Sequence, residues 1–220
     1  MSAYFVTATG TDIGKTFVTA GLIRHLRAQG RPVAALKPIV SGYDDATAAV
    51  SDPGMLLTAL GEAVTPQAVA RLSPWRFAAP LSPDMAAARE GRRIDFAALV
   101  EFCRRAALEN GGTLFIEGVG GVMVPLDDTH TVLDWMVALG LPLILVTGSY
   151  LGALSHTLTA LRVIAAAKLE VAALAINEGD GATVPLDETA ATMRRFAPDV
   201  PIVTLRRGAD DFAPLAAALR

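Results

Sequence analysis

Apolar residues fall into two patterns that alternate along the chain. Runs apolar at nearly every position occur at 3–8 (AYFVTA), 32–39 (PVAALKPI), 113–118 (TLFIEG), 142–148 (PLILVTG), 171–177 (VAALAIN) and 201–205 (PIVTL). Strands covered on both faces read this way, as the strands of parallel sheets do. Between the runs, apolar positions recur every three or four residues, the spacing of one helix face. The stripes are Val18, Leu22 and Leu26; Phe96, Leu99, Cys103 and Ala106; Val132, Trp135, Met136 and Leu139; and Leu154, Leu158, Leu161 and Ala165. Gly30 follows the first stripe, where a C-terminal cap belongs. The alternation predicts an α/β fold: a doubly wound, mainly parallel sheet with helices on both faces and right-handed crossovers.

The stretch from Ala63 to Arg93 breaks the rhythm. Pro66, Pro74, Pro80 and Pro83 punctuate it, predicting loops with short helices. Alanine-rich pieces such as AAAR and LAAALR predict helix, because alanine is the best helix former. No repeat or linker divides the chain, so residues 1–220 read as one domain.

Composition narrows the function. Just over half of the 220 residues are apolar, and 19 basic residues face 22 acidic ones for a net charge of −3. That balance argues against a nucleic-acid partner, whose backbone favours a basic face. Cys103 is the only cysteine, so no internal disulfide exists and a reducing compartment is expected. Its place beside Leu99 reads as a structural thiol. No basic-then-apolar leader opens the chain, and no apolar run approaches the ~20 residues of a membrane span. A cytoplasmic protein without a membrane contact is the expectation. His25, His130 and His156 show no metal-ligand spacing.

The chemistry begins at VTATGTDIGKT, residues 6–16. A phosphate loop needs backbone N–H groups that converge on oxygens, a helix start behind them and a lysine. Here a strand run precedes and a helical stripe follows Gly14, Lys15 and Thr16, the context the motif requires. Lys15 is placed to reach the phosphates and the Thr16 hydroxyl to hold Mg²⁺. The opening glycine of G-x-x-x-x-G-K-S/T is absent: Thr9 stands at the four-residue spacing, Ala8 at five. A plain strand-to-helix turn is the alternative.

Glu117 closes the run TLFIEG at the sheet edge where α/β proteins bind ligands, placed to hold Mg²⁺ directly or through water. The alternative is an ordinary strand-end acid. Asp52, in VSDPGM, is a weaker candidate for the same task, or else a helix N-cap or turn residue. Lys37, in LKPIVSG, projects over the same edge, with Ser41 four residues on; the alternative is a surface lysine after a strand. Two lysines beside one triphosphate suit an anionic nucleophile meeting a phosphoryl group. Each close unit-charge pair is worth on the order of 4 kcal/mol at an effective dielectric of 20.

Together these residues resemble the dethiobiotin synthetase family. Its loop G-T-D-x-x-V-G-K-T has five residues between glycines, and ATGTDIGKT lies over it with Ala8 at the first glycine and Gly10 at the aspartate. KPIVSG is similar to K-P-x-x-S-G, FAAPLSP to F-x-x-P-x-S-P, and IEGVGGVMVPL to E-G-x-G-G followed by proline and leucine. LPLILVTGSYLGALSHTL is similar to the family's L-P-x-I-L-V strand, L-G and histidine. The resemblance spans roughly residues 3–178. It implies a P-loop NTPase-type fold and a homodimeric ligase that uses ATP, Mg²⁺ and CO₂ on 7,8-diaminononanoate.

The resemblance also implies residue roles. Lys37, Lys15 and Thr11 are the implied catalytic residues. Asp12, Ile13, Gly14, Lys15, Thr16 and Phe17 would line the nucleotide, with Glu117, Gly118, Val119 and Gly120 alongside. Thr16, Asp52 and Glu117 would surround Mg²⁺. Asn177 stands where the family reads adenine, since an amide offers both donor and acceptor; it also suits a strand-end turn. Lys37, Ser41, Gly152 and Ser155 would meet the substrate, the last two at a helix start able to receive its carboxylate. Ser155 replaces the family's common asparagine, and PIVTLRRGADDF lacks its G-x-I-P. A competing class is the partner-stimulated switch ATPase, whose loop K-G-G-x-x-K-T carries a second lysine. Here the loop has Thr9 followed by Gly10 and no such lysine.

Overall fold

The computed structural model describes residues 2–179 and 182–219. The chain opens with β1 (Ser2–Ala8), α1 (Lys15–Ala28), β2 (Val33–Leu36) and β3 (Ile39–Ser41). A 3₁₀ segment (Asp45–Val50) leads to α2 (Asp52–Leu60), α3 (Pro66–Leu72), β4 (Trp75–Phe77), α4 (Pro83–Arg89) and α5 (Phe96–Glu109). Then come β5 (Thr113–Glu117), α6 (Val132–Leu139), β6 (Leu143–Gly148), α7 (Ala153–Ala166) and β7 (Val171–Asn177). The last elements are α8 (Leu186–Phe196), β8 (Ile202–Leu205) and α9 (Ala213–Ala218).

Six strands form one parallel sheet in the order β2-β5-β1-β6-β7-β8. β1 lies inside it, with Val6 opposite Glu117 of β5 and Ala8 opposite Val146 of β6. The chain leaves β1 toward one side of the sheet and later fills the other, so the switch in strand order falls at the carboxyl end of β1. A crevice opens there in sheets of this kind. Alternate side chains supply the two cores. Phe5, Ile116, Leu145 and Ile176 join Leu99, Trp135 and Ile164 on one face; Val6, Phe115, Val146 and Ala175 join Leu22, Leu57 and Leu215 on the other. The apolar runs of the sequence are thus strands buried on both sides, as expected.

Three local expectations are corrected. The run 32–39 is two strands, because Pro38 has no N–H for the ladder. The Lys37 amide instead donates to the Leu72 carbonyl, and β3 pairs with β4 in a separate two-stranded parallel sheet. The punctuated stretch 63–93 holds the expected short helices α3 and α4, but also that strand β4. On α7 the buried line is Ala153, Thr157, Ala160 and Ile164. The predicted stripe lies one position aside: Leu154, Leu158 and Leu161 are half-buried and Ala165 is exposed. Gly30, at φ 72°, does end the first helix, with its amide on the Arg27 carbonyl.

Candidate active site

The phosphate-type loop hangs from the end of β1. Ala8 is the last residue of that strand, fully buried and paired, so the glycine missing there is not needed for backbone freedom. The chain turns through Asp12 at φ 56° and Gly14 at φ 99° before α1 starts at Lys15. Gly14 is the helix N-cap and supplies no side-chain acceptor, leaving first-turn amides for an incoming anion. Gly121 packs on the loop: a Cβ there would stand 3.2 Å from the Gly10 nitrogen. Lys15 bridges the two segments, its Nζ donating to the Gly120 carbonyl at 2.8 Å and the Gly10 carbonyl at 3.4 Å. Burial, helped by the nearby Lys37 ammonium, lowers the Lys15 pKa to about 8, against the opposing pull of Glu117, Asp52 and Asp12.

A compact ionic cluster lies beside it. Lys37, just beyond β2, is only 2% exposed. Its Nζ donates to Glu117 Oε1 at 2.9 Å and the Gly118 carbonyl at 2.7 Å, and lies 3.1 Å from Asp52 Oδ2. Burial alone would depress this ammonium, but Glu117 and Asp52 outweigh it and raise the pKa. Asp52 answers in kind: burial would raise its carboxyl, while Lys37 and the Thr16 hydroxyl hold it below the usual range. Thr16 Oγ1 sits 2.8 Å from Asp52 Oδ1 and 2.7 Å from Glu117 Oε1. One hydroxyl proton serves one of those oxygens at a time.

Lys15, Thr16, Lys37 and Asp52 border a cavity of about 640 Å³, and Glu117 is fully buried beneath them. Its lining includes Thr11, Asp12, Gly14, Lys15, Thr16 and Phe17 from the loop and α1, with Lys37, Ser41 and Asp52, and with Val119 and Gly120. Two buried atoms at this place have no hydrogen-bond partner: Glu117 Oε2 and Ser41 Oγ. An orphaned carboxylate oxygen beside a hydroxyl and a second carboxylate is the hard-oxygen donor set Mg²⁺ takes when phosphates and water complete its shell. The residues therefore fit the ion. Among the described residues no group of three or more His, Cys, Asp or Glu forms a metal cluster by itself.

Most predicted residues converge here, but not all. Ile13, Glu117, Gly118 and Asn177 are not on the cavity's lining, and the Asn177 amide donates to the Ile13 carbonyl at 3.0 Å. Gly152 and Ser155 are outside the cavity, exposed at the start of α7. Asp52 is the first residue of α2, and Ser51 makes the N-cap bond instead. His156 meets the Tyr150 hydroxyl at 2.8 Å, a polar contact at a helix start. Sequence reasoning missed the lid of the cavity, Pro80, Leu81, Ser82 and Pro83, together with Met55, Val40 and Val124. The FAAPLSP segment carried that signal: the Gly42 amide binds the Ala79 carbonyl, closing this loop over β3.

A glycine-lysine-threonine turn between an inner parallel strand and a helix start, with a carboxylate on the adjoining strand, defines a P-loop nucleotide-binding protein. Solved structures agree on the fold. The chain is similar to the cell division ATPase MinD of Pyrococcus furiosus (18% identity, TM-score 0.55, covering 100% of this chain and 89% of that one). It is similar also to chloroplast FtsY of Physcomitrella patens (15%, TM-score 0.56, 99% and 64%). A family described as "AAA domain" matches residues 2–204. The chain belongs to the dethiobiotin synthetase family. It is 52% identical over 196 residues to the ATP-dependent dethiobiotin synthetase BioD of Acidiphilium cryptum, covering 89% of this chain and 88% of that one. It is 48% identical over 213 residues to the BioD of Methylobacterium nodulans, covering 94% of each.

Proposed function

We propose that residues 1–220 act as one ligase unit that joins CO₂ to 7,8-diaminononanoate and closes the ureido ring of dethiobiotin, converting ATP to ADP and phosphate. The observation that carries the reading is the second lysine: Lys37 is buried on the same cavity as the phosphate loop, held by Glu117 and Asp52. The switch ATPase class carries its second lysine inside the loop, whereas here it stands beyond β2. One substrate amine adds to CO₂ and loses a proton, giving a carbamate. A carbamate oxygen attacks the γ-phosphorus and ADP departs, leaving a carbamic-phosphoric anhydride. The second amine attacks its carbonyl carbon and expels phosphate as the ring closes.

The protein's part is position and charge. Lys15 and the first-turn amides of α1 hold the phosphates, and Lys37 meets the carbamate and the transferred group. Ser41, with its unpartnered buried hydroxyl, binds at the amine or carbamate end, and Thr11 lines the same cavity. Bound Mg²⁺, held by Thr16, Asp52 and Glu117, supplies charge neutralisation to the phosphates. Asn177 meets the base. Gly152 and Ser155 receive the substrate carboxylate across a homodimer contact, and the site is cytoplasmic. Single-turnover assays with diamine, bicarbonate and MgATP test this: dethiobiotin and ADP are expected in equal amounts. ADP formation that ignores the diamine overturns it.

A further inference from the structure

An unassigned link joins the sheet to the phosphate loop. Asn177 ends β7, and its backbone is fixed between Gly148 of β6 and Leu205 of β8. Its side chain is nearly buried, at 7% exposure, and reaches under the loop to donate from Nδ2 to the Ile13 carbonyl at 3.0 Å. Gly14 is bare at the same spot: a Cβ built there would stand 2.3 Å from Asn177 Nδ2. The asparagine amide therefore occupies the space a side chain at position 14 would fill.

We infer that Asn177 is a positioning residue of the phosphate loop, whose amide sets the Ile13–Gly14 peptide so that the loop presents its donors to polyphosphate. The inference rests on the nucleotide reading above and goes beyond base contact. The peptide is trans, so its C=O and N–H point in opposite directions. With the carbonyl turned toward Asn177, which is nearly buried and not on the cavity's lining, the Gly14 N–H faces the other way, and Gly14 does line the cavity. A free loop at Gly14, φ 99°, has wide conformational choice and no reason to keep its carbonyl away from an anion. The tether removes that choice before the ligand arrives, which is preorganisation. An amide has two N–H groups, so one remains for a base.

Binding of magnesium tripolyphosphate, which has no base, separates this role from base recognition. In Asn177→Ala, affinity for tripolyphosphate is expected to fall by roughly three- to tenfold, the worth of one lost hydrogen bond, and affinity for ATP by at least as much. Unchanged tripolyphosphate binding with weakened ATP binding overturns the inference and leaves base contact alone. A second measurement needs no variant: in the ligand-free wild-type protein, the Asn177 side-chain amide should be protected from hydrogen exchange. Exchange at the rate of a free amide sinks the tether. Wild-type protein that binds neither ligand refutes the nucleotide reading, while the exchange result still decides the tether.

Discussion

Lys37 shows how one residue serves stability and chemistry together. Its ammonium and the Glu117 carboxylate are both almost wholly buried, 2.9 Å apart, while the Asp52 side chain is 42% exposed. Removing the lysine strips the buried Glu117 carboxylate of its ion-pair partner and leaves it the Thr16 hydroxyl alone. Lys37→Ala is therefore expected to cost about 3–5 kcal/mol of folding stability, read by urea unfolding. Lys37→Ala/Glu117→Gln should recover much of that, because the stranded charge is gone. A single variant as stable as the wild type would show that the Lys37–Glu117 pair contributes nothing to the fold. Under conditions where Lys37→Ala is folded, ring closure should be lost with MgATP binding kept. At this scale the sequence was legible in part. G-K-T and the strand-end positions of Lys37 and Glu117 marked the right residues. Their mutual contact was not legible, since 80 positions separate them and only the β2–β5 pairing brings them together. Cys103 was legible outright: it is fully buried, and burial pushes its thiol up to about 12, which leaves it unreactive.

At the scale of elements, hydrophobic period located strands and helices, and backbone chemistry decided where they stopped. Pro38 split one apolar run into β2 and β3, a rule available from the sequence, but nothing local said that β3 would leave the main sheet to pair with β4. The α7 stripe failed for a different reason. Small residues, Ala153, Ala160 and Thr157, face the sheet because the helix lies close to it, and the leucines border the contact. Gly21 marks another close approach. It lies inside α1, where a glycine costs roughly 1 kcal/mol of helix propensity. The compensation is Phe212, at the start of α9: a Cβ on residue 21 would stand 2.0 Å from its Cζ. Gly21→Ala should therefore destabilise the fold by about 1–3 kcal/mol through overpacking, although alanine is the better helix former. Pairing it with Phe212→Leu should relieve the clash, and thermal unfolding of the four proteins of that cycle measures the coupling. Additive effects would mean that Phe212 does not determine the glycine.

For the whole molecule, the strand order places the loop, Lys37 and Glu117 on one sheet edge, and that much followed from the alternation of strands and helices. What the sequence left hidden is that Gly152 and Ser155 share the edge without sharing the cavity. They are exposed at the start of α7, next to Leu151, which is 87% exposed, and no part of the same chain among the described residues carries them to the cavity around Lys37. If these residues receive the substrate carboxylate, a second copy has to present them. Each cavity then takes its nucleotide from one chain and part of its diamine site from the other. The expected solution mass is twice the 22.9 kDa of one chain. A charge placed in that contact should separate the two functions: Leu151→Glu is expected to yield the 22.9 kDa species in light scattering and to lose diamine affinity. Affinity for MgATP should hold, because the phosphate loop, Lys15 and Thr16 belong to one chain. A monomeric wild-type protein that forms dethiobiotin at full rate would remove Gly152 and Ser155 from the site and return carboxylate recognition to the cavity's own wall, where Pro80 to Pro83 close over Ser41.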